Sequence, residues 1–142
     1  MNQIIIIANN TYGEMMSGGD RIWIEIINNL TEKFNIVLFT SEEGSLLFQM
    51  SKKKEISIIK TDIKFECNNL YSILGLIKLQ IRRTYKGIKY ILNNVDTMKN
   101  SEFIYSSSDF YPDFFSAFFA KIINKKNKMG SWILSFCPFS II

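Results

Sequence analysis

Ser17-Gly18-Gly19-Asp20 brings together residue types that bind anions. The segment closes a long loop after an apolar run and opens a stretch of helical periodicity. There, unpaired N–H groups and the helix dipole favour negative charge, and glycines let a ligand approach the backbone. The same four residues serve equally as a turn made by Gly18 and Gly19, with Ser17 or Asp20 capping the helix. A second cluster, Ser106-Ser107-Ser108-Asp109-Phe110-Tyr111-Pro112-Asp113, follows a later apolar run. Ser107, Ser108 and Asp109 offer hydroxyls and a carboxylate to a hydroxylated ligand, or Asp109 caps the next helix. The third feature is a charge pattern: Lys78, Arg82, Lys86 and Lys89 at i, i+4, i+8 and i+11, joined by Arg83, in a span from Cys67 to Val95 without an acidic residue. Opposite an isoleucine stripe, these cations make a basic amphipathic helix fit for an anionic membrane surface or a phosphate-bearing partner, or a solvated face.

Absent residues exclude more chemistry than those present suggest. The 142-residue chain has no histidine, so Ser-His-Asp and Cys-His nucleophiles, imidazole bases and His-ligated zinc are all ruled out. Cys67 and Cys137 are 70 positions apart, too far for a zinc knuckle or redox pair, and read as buried small hydrophobes in a reducing compartment. No carboxylate pair makes a metal motif, so no metal or cofactor is expected. Neither G-x-G-x-x-G nor a phosphate P-loop occurs. The net charge of +4 rests on 14 lysines, and an excess of 24 isoleucines and 13 asparagines beside them is what an AT-rich coding sequence yields regardless of function. No nucleic-acid partner is inferred from it. Without a signal-peptide core or a membrane span, the chain reads as cytoplasmic, with room for a peripheral place at the inner face of the membrane.

The elements that must position these residues follow from apolar spacing. Five short runs, residues 4–8, 36–40, 56–60, 103–107 and 132–136, are nearly continuously hydrophobic, which suits strands covered on both faces. Between them Trp23, Ile26, Ile27, Leu30 and Phe34 form one helical stripe, Leu70 to Leu92 carries a second, and Pro112 to Asn124 opens with proline in its first turn. Alternating strand and helix predicts an α/β domain: a Rossmann-like parallel sheet of about five strands with helices on both faces, joined by right-handed crossovers. Ligands in such sheets bind beyond the strands' carboxyl ends, near the point where strand order reverses. The loops to inspect are residues 9–19, 41–55, 61–68 and 107–111.

The order strand, Ser-Gly-Gly-Asp loop, helix Arg-Ile-Trp-Ile-Glu-Ile-Ile-Asn-Asn-Leu, then Phe34-Asn35-Ile36-Val37-Leu38-Phe39-Thr40 resembles the opening of family 4 glycosyltransferases of the GT-B fold. Ile104 to Asp113, the apolar helix, the Lys-rich turn and Trp132-Ile133-Leu134-Ser135-Phe136 look like the fourth strand, helix and fifth strand of the same domain. The resemblance implies an N-terminal, acceptor-side lobe over residues 1–142. In the complete enzyme, sugar would pass from a nucleotide-sugar co-substrate to a glycan or lipid-linked acceptor. Ser17, Gly18, Gly19 and Asp20 would lie near the donor phosphates, Ser107, Ser108 and Asp109 near the acceptor, and the basic helix against a membrane. The family's E-x7-E motif belongs to the second lobe, and no two glutamates here are eight apart. Many members place a histidine where Cys137-Pro138 stands, and the chain stops at Ile142. The expectation is therefore an incomplete lobe, inactive alone, whose donor lobe is lost or carried on a separate chain. The alternative is a non-catalytic module binding a membrane or acidic partner through the basic helix.

Overall fold

The computed structural model describes residues 2–11, 16–51, 54–61, 72–126 and 128–131. Four parallel strands lie where apolar runs were expected: β1 (Gln3–Ala8), β2 (Asn35–Thr40), β3 (Ser57–Lys60) and β4 (Ser101–Ser106). Along β1 the side chains alternate between two cores, as a two-sided strand requires. Ile4, Ile6 and Ala8 join a cluster with Trp23, Ile27 and Phe48, while Ile5 and Ile7 join another with Ile91, Ile104 and Ala117. One layer of the domain holds α1 (Gly18–Leu30) and α2 (Glu42–Ser51); the other holds α3 (Ile73–Asn93), the short α4 (Val95–Lys99) and α5 (Tyr111–Ile123).

Sheet order is β3-β2-β1-β4-β5, with the edge beyond β4 paired by Lys128–Ser131, taken as β5. The run expected as the fifth strand, residues 132–136, lies outside the described residues, as do Cys67 and Cys137. Two expectations are corrected. Residues 42–51 are helix rather than loop: the Ser41 hydroxyl accepts from Gly44 N–H, and Glu42 and Glu43 sit in the first turn, where the dipole favours them. Gly44 is there by necessity, since a Cβ would come within 2.0 Å of Thr40 Oγ1. The second correction concerns α3. Of its apolar stripe, Ile73, Leu74, Ile77 and Ile81 are exposed and only Ile91 reaches the core, in a buried line with Leu79, Arg83 and Gly87. Among the described residues no helix is long and apolar enough to cross a membrane.

Candidate functional site

From β1 the chain runs one way to β2 and β3 and the other way to β4, so strand order reverses between β1 and β4. Crevices at such a point are where open α/β sheets bind ligands. The two loops singled out from sequence meet there. A cavity of about 480 Å³ is lined by Gly19 and Ile22 from the start of α1 and by Ser107, Ser108, Asp109 and Phe110 between β4 and α5. A smaller recess of about 100 Å³ adjoins it and reaches Asn10, Asp20 and Asp113.

Ser17 is the N-cap of α1, and with Asp20 it forms a reciprocal capping box: Asp20 N–H donates to Ser17 Oγ at 3.2 Å, and Ser17 N–H donates to the Asp20 carboxylate at 2.9 Å. That carboxylate also accepts from Thr11 Oγ1 at 2.9 Å and Trp23 Nε1 at 3.2 Å. The capping reading therefore holds for Ser17 and Asp20. It does not account for the glycines. A Cβ on Gly18 would meet nothing within 4 Å, and one on Gly19 only Ser17 Oγ at 3.7 Å. Neither packing nor backbone conformation demands glycine at either place; Gly19 lines both cavities and Gly18 lines neither.

In the second loop Asp109 does not cap α5. Phe110 is the N-cap of α5 and makes no side-chain cap bond, with Pro112 in the first turn. Asp113 is fully buried and points back across the sheet ends. It accepts from the N–H groups of Asn9 (2.5 Å) and Asn10 (3.1 Å) and from the hydroxyls of Ser107 (3.0 Å) and Ser108 (2.5 Å). Burial raises its pKa to about 6 against the opposing pull of those four donors. Burial, with the nearby Asp109 charge adding to it, pushes the Tyr105 phenol up to about 12, so it stays protonated.

Arg83 is the plainest correction to the sequence reading. It does not join the exposed basic face; it is 0% exposed. Its Nη1 donates to the carbonyls of Asn9 and Thr11, both at 2.7 Å, and Nη2 lies 3.6 Å from the Glu43 carboxylate. Asn9 is thereby a hub. Its N–H goes to Asp113, its carbonyl to Arg83, and its side-chain oxygen accepts from Thr61 Oγ1 at 3.0 Å. Sequence reasoning passed over Asn9, Thr61 and Asp113 as site-forming residues; the one available signal was Asn9-Asn10 standing at the end of the first strand. Lys78, Arg82 and Lys89 remain exposed and Lys86 half-exposed on α3, away from the crevice.

Among the described residues the walls of the two cavities carry Asp20, Asp109 and Asp113 and no lysine or arginine. Because the Ser107 and Ser108 hydroxyl hydrogens are committed to Asp113, their oxygens can only accept from a ligand. The larger cavity is thus mostly apolar, with Ile22 and the 60% exposed Phe110 among its lining, and its few polar groups are acceptors. Among the described residues, no group of three or more acidic or cysteine side chains could hold a metal ion.

Compared with known proteins, the chain matches no family model, no curated protein and no solved structure.

Proposed function

We propose that this chain is the acceptor-side lobe of a nucleotide-sugar glycosyltransferase, with the crevice between β1 and β4 holding a sugar acceptor. The observation that carries the reading is the convergence of Gly19 at the start of α1 and the Ser107–Phe110 loop on one cavity at the reversal of strand order. The few polar groups of this mostly apolar wall, the Ser107 and Ser108 oxygens and the Asp109 carboxylate, accept hydrogen bonds, and sugar hydroxyls supply the donors. The Phe110 ring offers a flat apolar surface for the C–H face of a pyranose. The same wall disfavours a diphosphate: its described residues bring three carboxylates and no cation, which would repel it. In this reading the donor phosphates meet the α1 glycines only from the cleft side, and their charge is balanced by groups outside this wall.

The test is titration of the full chain with a panel of neutral mono- and oligosaccharides and with a nucleoside diphosphate, followed by NMR. We expect saccharide binding that Phe110→Ala and Asp109→Asn each weaken by about tenfold, the effect of losing one stacking contact or one charge-assisted hydrogen bond, and weak or no diphosphate binding. Absence of saccharide binding would sink the proposal. So would binding that is indifferent to both substitutions.

A further inference from the structure

We infer that the outer side of the α3–α5 layer docks on an anionic phospholipid surface. Fourteen large hydrophobic residues are exposed among the described residues, and eleven of them lie on α3 or α5. Their spacing is orderly. On α5, Tyr111, Phe115, Phe118 and Ile122 follow at i, i+4, i+7 and i+11, a single outward stripe opposite the buried Asp113, Ala117 and Ala120. On α3, Leu74, Ile77, Ile81, Tyr85 and Leu92 form another stripe, turned away from the buried Arg83 and Gly87. Exposed apolar area gathered on one layer in this way marks an interaction surface.

Charge decides the occupant. Lys78, Arg82 and Lys89 run beside the α3 apolar stripe, Lys86 stands next to them, and α3 has no acidic residue; the one carboxylate on α5, Asp113, is buried. An apolar strip edged by cations is the arrangement of a helix lying in a bilayer interface, its apolar side among the acyl chains and its cations at the phosphates. Arg82, Tyr85, Lys86, Lys89, Tyr90 and Asn93 also line a recess of about 470 Å³, wide enough for a phospholipid headgroup. A second copy of the chain fits less well, because a two-fold contact would set these lysines against themselves. Nucleic acid would leave both apolar stripes in water. This inference does not rest on the transferase reading.

The experiment is co-sedimentation of the full chain with vesicles of phosphatidylcholine alone and of phosphatidylcholine mixed equally with phosphatidylglycerol, at low and high salt. Binding is expected only with phosphatidylglycerol and should weaken in high salt. Replacing Lys78, Arg82, Lys86 and Lys89 together by Gln should lower it by on the order of a hundredfold or more, since each cation near an anionic surface contributes several-fold. Replacing Ile77, Ile81, Phe115 and Phe118 by Ser should lower it by about tenfold or more. A Phe118→Trp reporter in the otherwise native chain keeps the test open should either combination misfold: its emission should shift to the blue with phosphatidylglycerol vesicles alone. Equal uptake by both vesicle types would overturn the inference. So would retention of binding by the Gln variant, a reporter emission that does not move, or self-association without vesicle uptake.

Discussion

Asp113 is under opposed demands, since full burial favours its neutral form while two backbone N–H groups and two hydroxyls favour its charge. With its pKa raised from 3.8 to about 6, the folded state holds a proton that the unfolded state has released across that window. Stability therefore falls as pH rises from about 4 to about 6 and is flat above, by on the order of 3 kcal/mol for this group. Urea unfolding measured over that range should show the decline, and Asp113→Asn should flatten it. Arg83 poses a simpler problem. Replacing it with Met removes the donor to two carbonyls and leaves Glu43 beside a buried apolar chain, so we expect a loss of about 3 to 5 kcal/mol, read from the denaturant midpoint. Nothing local distinguishes Arg83 from Arg82. What turns one inward and the other outward is a pair of carbonyls 72 and 74 positions away, which no reading of the helix alone could supply.

At the scale of elements, glycines separate packing from access. Gly87 lets α3 and α5 close on each other: a Cβ there would stand 2.3 Å from Ser116 Oγ and 3.1 Å from Asn9 Nδ2. Gly87→Ala should destabilise by about 1 to 3 kcal/mol despite the better helix former, and adding Ser116→Ala should restore part of it in thermal melts. Gly18 and Gly19 should behave in the opposite way. Ala at either position fits the helix and should raise stability by about 0.4 to 1 kcal/mol, and at Gly19, which lines the crevice, it should also weaken saccharide binding. A gain in melting temperature with unchanged binding would show that Gly19 is not kept open for a ligand. Helix α1 was legible from its stripe and its Ser17-to-Asp20 box. Helix α2 was not, because Glu42 to Ser51 carries Gly44 and Ser45 on its buried side, where an apolar period would otherwise show. For α3 the period was legible and its direction was not. An isoleucine stripe reads as core-facing by default, yet of this one only Ile91 is buried, in the line bearing Arg83 and Gly87.

For the molecule as a whole, four strands and the mixed α/β layering could be read from apolar runs because strands covered on both faces leave an unbroken hydrophobic signature. Both crevice loops were also legible, since turn residues at strand ends mark where ligands bind. The polar hub behind them was not, because each of its bonds joins distant parts of the chain. Asp113 stands 104 and 103 positions from its Asn9 and Asn10 donors, and Thr61 stands 52 from its Asn9 acceptor. That same remoteness sets the order of events in folding. Every hub bond needs β1 already placed against elements that close the longest loops in the chain, so the hub consolidates after the barrier has been crossed. Stopped-flow kinetics should accordingly find Arg83→Met unfolding faster with its refolding rate little changed. The crevice would then be the last part of the domain to set and the first to loosen, and its persistence would be governed by how long Arg83 and Asp113 keep hold of the turn after β1.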